Sequence, residues 1–166
     1  RARFGTMSIA QMQARVISSD VVWDDLAAIR EKWRGTMLLK GVMHPDDARD
    51  AIRIGCDGLV VSNHGGRQAD YAPSAISVLP GIRAAVGADV PILIDSGIRR
   101  GSDVVRAKAL GADFALAGRA FAYGAGAGGP AGCEKALDIL EAELSRAVGQ
   151  LGFARFSDVD ATALSV

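Results

Sequence analysis

Cysteine is scarce in this sequence, with two residues in 166, Cys56 and Cys133. Their spacing builds neither a disulfide framework nor a thiolate metal site, and such usage fits a reducing compartment. No metal site of any kind is read from the residues. An excess of one charge is also missing, since 19 Lys and Arg balance 19 Asp and Glu. That balance gives no footing for nucleic acid, whose binders usually carry a basic surplus. Long apolar runs are absent as well. No stretch approaches the roughly 20 residues that cross a bilayer. No signal-peptide pattern is read at the start, and Arg1 is not taken as the biological first residue. What is present, 49% hydrophobic and 23% charged, is the profile of a soluble globular chain large enough for one core.

Residues 1–19 are polar with scattered apolar positions and read as a flexible arm or part of a long loop, with a short amphipathic segment as the alternative. Residues 20–33 carry Val22, Trp23, Leu26, Ile29 and Trp33 at helical spacing, with Asp20 as the expected cap and Gly35 as the stop. A repeating pattern follows. Short apolar runs at 37–39, 59–61, 91–94 and 114–117 read as strands. Between them lie helices expected at 44–54, 73–86 (broken near Pro80-Gly81) and 102–110, and a last one from Cys133 to about Leu151. Residues 153–166 read as a tail. Strand centres at Leu38, Val60, Leu93 and Ala115 are 22, 33 and 22 residues apart. Apolar, non-alternating strands separated by helices predict parallel strands buried on both faces.

Each predicted strand runs into polar residues: Lys40, then Ser62-Asn63-His64, then Asp95-Ser96, then Gly118-Arg119. In parallel α/β folds the carboxyl ends of the strands carry the site. The stretch Ser62-Asn63-His64-Gly65-Gly66-Arg67-Gln68 is the richest. An imidazole there can take a proton near neutral pH, and a guanidinium can grip a carboxylate with two hydrogen bonds. The pattern alone leaves His64 open between a catalytic base and an ordinary loop residue. Asp95-Ser96-Gly97-Ile98-Arg99-Arg100-Gly101-Ser102-Asp103 joins a strand to a helix, where amides and Arg99 or Arg100 would suit a phosphate. The other reading is of two surface arginines and a Ser102 cap. Lys40 is open between a solvated and a functional lysine, His44 reads as a neighbour of a helix cap, and Asp57 and Asp113 read as turn residues. Residues 124–129 match GxGxxG but lack the strand before and the acidic partner after, so they read as a flexible connection.

Taken together, Leu39-Lys40-Gly41, SNHGGRQ at 62–68, DSGIRRGSD at 95–103 and Gly118-Arg119 resemble the carboxyl-terminal half of the FMN-dependent 2-hydroxy acid oxidases and dehydrogenases. The resemblance covers about residues 20–152, and its look is nearest the bacterial (S)-mandelate and L-lactate dehydrogenases. It implies an α/β fold, a (β/α)8 TIM barrel of which this chain supplies the last four strand-helix units. A barrel of eight units takes about 250 residues, so four units make half of one. Residues 1–19 would then end the mobile loop after the fourth strand, and 153–166 would be the tail.

The same resemblance implies FMN as cofactor and oxidation of an (S)-2-hydroxy acid to the 2-oxo acid. His64 would be the base and Arg67 the substrate-carboxylate anchor. Lys40 would stand near the flavin ring with Ser62 also in contact. Asp95, Ser96, Gly97, Ile98 and Arg99, with Gly118 and Arg119, would hold the ribityl chain and phosphate. It further implies a partner in the amino-terminal half of the barrel, on the same polypeptide or another, and self-association, often as a tetramer. A cytoplasmic location is expected, touching the inner membrane in some members through the loop ending near residue 17. Two other readings stand beside it. One is a different FMN or phosphate-binding barrel enzyme, and the other is a half-barrel that binds a partner chain without catalysis.

Overall fold

The structure, a computed structural model, describes residues 20–164. The arm or loop expected over residues 1–19 lies outside the described residues. The chain divides into two units, Arg1–Arg34 and Gly35–Val166.

In the first unit, helix α1 (Trp23–Lys32) carries Asp24 and Asp25 in its first turn and Arg30 and Lys32 in its last, which suits the helix dipole. Its cap differs from the expectation. Val22, in extended conformation, is the capping position, and its N–H donates to Asp25 Oδ2 at 3.1 Å. A carboxylate inside the first turn reaches back to that amide, so Asp20 does not serve as the cap.

The second unit is four strand-helix repeats: β1 (Leu38–Val42), α2 (Pro45–Arg53), β2 (Gly58–Val61), α3 (Ala75–Val86), β3 (Ile92–Ile94), α4 (Gly101–Ala109), β4 (Phe114–Ala115) and α5 (Arg119–Gln150). The strands form one sheet in the order β1-β2-β3-β4, every neighbour parallel. Leu39 pairs with Leu59 and Leu59 with Ile92, while Lys40 pairs with Val60, Val60 with Leu93 and Leu93 with Phe114. A bulge between Lys40 and Val42 places Gly41 at φ 98°, a left-handed conformation that glycine adopts readily.

The core lies between sheet and helices. Leu59, Val61, Ile92 and Ile94 from the strands meet Leu79 and Ile82 of α3 and the small Ala48 and Ala51 of α2, all fully buried. The edge strands are different. Leu38 on β1 and Phe114 on β4 remain exposed. The amino-terminal ends of the strands are pinned by the two predicted turn aspartates. Asp57 accepts the N–H of Met37 and Asp113 that of Ile92, each at 2.8 Å. Arg83 joins Asp113 at 2.6 Å and also donates to Gly111 O.

Four expectations are corrected. α3 runs unbroken through Pro80, because the burial of Ala75, Leu79 and Ile82 holds it together and Gly81 lets it approach Pro45 of α2. β4 is two residues long rather than four. A further helical arm begins at Arg119, and after a break at Gly128 and Gly129 the last arm starts a few residues before the expected Cys133, so the glycine-rich stretch is not a flexible connection. It is a helical hairpin kinked at Gly128 and Gly129, the latter at φ 57°. Gly124 and Gly132 serve close packing, since a Cβ on Gly132 would run into the Gly124 carbonyl. Finally, residues 153–164 fold back instead of trailing. Phe153, Phe156, Val159 and Leu164 pack on Val105 and Ala109 of α4 and Val148 of α5.

Candidate active site

The parallel order brings four strand ends to one rim, and a cleft of about 380 Å³ opens there. Beneath it, β2 delivers Ser62, which is fully buried. Ser62 Oγ accepts from Lys40 Nζ at 2.8 Å and from the His64 N–H at 3.1 Å. Lys40 also pairs with Asp95 Oδ2 at 2.9 Å, across the end of β3. Asp95 Oδ1 accepts from the Ser96 hydroxyl at 2.7 Å, and Ser96 Oγ accepts from the Gly65 N–H at 3.0 Å. Burial pushes the Asp95 carboxyl up, but hydrogen bonds from Ser62, Ser96 and Lys40, with the Lys40 charge, outweigh it and hold Asp95 below its ordinary value.

The loop after β2 is a tight turn, His64–Gly66, in which His64, Gly65 and Gly66 all have positive φ. Asn63 caps it by accepting the Gly65 N–H at 3.0 Å, and its own amide donates to Pro73 O at 3.1 Å. Arg67 Nε donates to His64 O at 3.0 Å. The absence of a side chain on Gly65 lets Arg119 lie across it, with Nη2 3.3 Å from Gly65 O.

The two adjacent arginines part company. Arg99 lines the cleft. Arg100 turns away to a paired contact with Glu143, at 3.0 and 2.7 Å. Glu143 also accepts the Gly101 N–H at 3.0 Å and thereby closes the start of α4. The Arg100 hydrogen bond, then the Gly101 N–H, hold the Glu143 carboxyl below its usual range. Asp103, rather than Ser102, completes that helix start by accepting the N–H groups of Arg99 and Arg100. His44 is itself the α2 cap, its Nδ1 accepting the Asp46 N–H at 3.2 Å.

Of the expected site residues, Lys40, His64, Arg67, Asp95, Ser96, Gly97, Ile98, Arg99, Gly118 and Arg119 line the cleft. Ser62 lies under it. Gly65, Leu116 and Ala122 line it too and were not anticipated. Gly65 had a signal, its place between the histidine and the arginine. Ala122 was hidden by the late start expected for the last helix.

The donor set fits a phosphorylated, planar cofactor such as FMN. Four cations, Lys40, Arg67, Arg99 and Arg119, surround one carboxylate that Lys40 already pairs. The start of α5 faces the cleft through Gly118 and Arg119, and no side chain caps it among the described residues. Amides at such a start favour an anion. A Cβ on Gly97 or Gly118 would point into open space, so both leave room for a ligand.

The fold and site define an α/β protein with a cationic cleft at the carboxyl ends of parallel strands, a setting that suits a phosphate group. Residues 2–166 match the FMN-dependent dehydrogenases, and the chain belongs to that family. It is 52% identical over 145 residues to the L-lactate dehydrogenase of Xanthomonas axonopodis pv. citri (strain 306), covering 87% of this chain and 37% of that protein. With the L-lactate dehydrogenase of Actinobacillus pleuropneumoniae serotype 5b (strain L20) it shares 51% over 144 residues. Among solved structures, the monotopic membrane protein (S)-mandelate dehydrogenase superposes with a TM-score of 0.88 at 40% identity, over 94% of this chain and 41% of that one. Flavocytochrome b2 with pyruvate bound superposes at 0.83 and 32% identity, over 90% and 39%. These neighbours are TIM-barrel FMN enzymes, and the four parallel repeats correspond to part of such a barrel. The chain spans less than two fifths of the length of the curated relatives it matches.

Proposed function

We propose that this chain, with the amino-terminal half of the barrel, forms an FMN-dependent enzyme that oxidises an (S)-2-hydroxy acid of the lactate or mandelate type to the 2-oxo acid. The carrying observation is that His64 and Arg67 line the same cleft as Lys40, Arg99 and Arg119. Relatives described as L-lactate dehydrogenases, and neighbours solved with pyruvate or with (S)-4-hydroxymandelic acid, support the substrate class.

In this reading Arg99, Arg119, Gly97, Gly118 and the amides opening α5 hold the ribityl chain and phosphate of FMN, with Asp95, Ser96 and Ile98 beside them. Lys40 places a positive charge at the floor of the cleft. FMN, when bound, supplies a two-electron acceptor. Arg67 Nε is committed to His64 O, so recognition of the substrate carboxylate falls to its two Nη groups. That contact sets the α-carbon and hydroxyl within reach of His64, which removes a proton from one or the other. Among the described residues no helix is long and apolar enough to cross a membrane. The neighbour described as a monotopic membrane protein, (S)-mandelate dehydrogenase, supports an enzyme attached to a membrane surface without spanning it.

The test is anaerobic mixing of the flavin-loaded full-length protein with (S)-lactate and with (S)-mandelate. Bleaching of the visible flavin band by either acid, and its loss in His64→Ala with flavin still bound, are expected. Flavin that binds yet bleaches with neither acid would overturn the substrate class.

A further inference from the structure

Among the described residues, only two that are not glycine have left-handed backbone, His64 at φ 56° and Ser96 at φ 70°. That conformation is unfavourable for L-residues and persists where surrounding contacts impose it. The two sit on neighbouring strand ends and are joined. From the His64 N–H the hydrogen bonds run to Ser62 Oγ, from there to Lys40 Nζ, to Asp95, to the Ser96 hydroxyl and back to the Gly65 N–H. The chain of contacts therefore begins and ends on the two peptide units that flank the His64 Cα. Those two planes define φ and ψ of His64, and hence where its side chain leaves the backbone.

We propose that Ser96, fixed by Asp95 and Lys40, is a positioning residue for His64, acting on the base through the Gly65 amide. The proposal rests on the reading of His64 as the base. Because the Ser96 proton is committed to Asp95, a lone pair of Ser96 Oγ is left facing the Gly65 N–H. Asn63 Oδ1 shares that N–H from within the loop, but only Ser96 ties it to another strand. Ser62 makes the matching contact on the other side of His64 from a fully buried site. Three strand ends thus converge on one residue, a rigid support of the sort precise catalytic geometry requires.

The experiment uses the full-length, FMN-loaded protein and two variants. Ser96→Ala removes the hydroxyl, and Ser96→Gly removes it while also relieving the left-handed strain, so it guards against a failure to fold. Two readouts are combined: amide hydrogen exchange over residues 62–67, and kcat against KM with a 2-hydroxy acid. The expected result is exchange in that loop about tenfold faster, as for a lost hydrogen bond, with other segments unchanged. Alongside it, kcat falls about tenfold or more while KM and flavin content stay within about twofold. Loop exchange equal to wild type in both variants would overturn the proposal. So would loss of flavin with the loop unchanged, which would make Ser96 a cofactor contact alone. If the wild type turns over no 2-hydroxy acid, the reaction assigned above fails, whereas the exchange readout still reports whether Ser96 holds the His64 loop.

Discussion

The His64 imidazole lies against Gly41: a Cβ built on Gly41 would come within 2.9 Å of His64 Nε2. One residue ends the bulge of β1 and the other opens the loop after β2, so the first strand end shapes the space in which the proposed base sits. Gly41 also has φ 98°. Gly41→Ala therefore meets two penalties, a left-handed conformation costing about 1–2 kcal/mol and a displaced imidazole. A shift of about 1 Å at a catalytic group costs on the order of 100-fold. Stopped-flow reduction of the bound flavin should show such a fall in rate with flavin content unchanged.

Arg67→Lys keeps the charge but loses two contacts, the Nε hydrogen bond to His64 O and the paired grip on a carboxylate. Losing a charge-assisted contact of about 1.5–3 kcal/mol should raise KM for the 2-hydroxy acid roughly 10- to 100-fold. Steady-state kinetics with substrates differing only in the carboxylate would check it, since the disadvantage of an amide analogue should narrow in the variant, which keeps the charge but not the paired grip.

Asp95 is held below the ordinary carboxyl value of 3.8 in the folded protein. Its contribution to stability is therefore fully present above that value and is lost as pH falls through the lower folded value. Asp95→Asn lacks this dependence and also the ion pair to Lys40. In urea titrations of the full-length protein, the variant should be less stable at neutral pH, and the gap should close as pH falls below the ordinary carboxyl range. A gap constant from neutral to strongly acid pH would contradict the assignment.

Two glycines of the α5 hairpin should respond with opposite sign. A Cβ on Gly132 runs into the Gly124 carbonyl, whereas one on Gly126 meets nothing within 4 Å. Gly132→Ala should lower stability by about 1–3 kcal/mol through overpacking. Gly126→Ala, in a helix interior, should raise it by up to about 1 kcal/mol. Thermal unfolding of the two full-length variants measures both.

Much of the site was legible because strand ends in a parallel sheet share one rim, and the residues that follow each apolar run are visible in one dimension. Lys40, His64, Arg67, Asp95 and Arg119 follow those runs, and all five line the cleft. The elements missed are those in which packing overrides local signals. Pro80 reads as a break, yet the buried side of α3 carries the helix past it. Residues 124–129 read as a loop because glycine disfavours helix, but two glycine faces pressed together favour the hairpin. Arg99 and Arg100 are indistinguishable by type, and only Glu143, 43 residues further on, separates them by drawing one away.

The residue order by itself determined the parallel α/β class, the polar rim and the resemblance to FMN-dependent enzymes, because period, glycine placement and short motifs are local properties of the chain. The tertiary structure alone decided which arginine faces the cleft, that Ser62 lies beneath it rather than in its wall, and that a ring of hydrogen bonds closes around His64. Those outcomes depend on groups from three strand ends meeting within about 3 Å, a short-range condition that hydrogen-bond geometry demands and sequence separation cannot express.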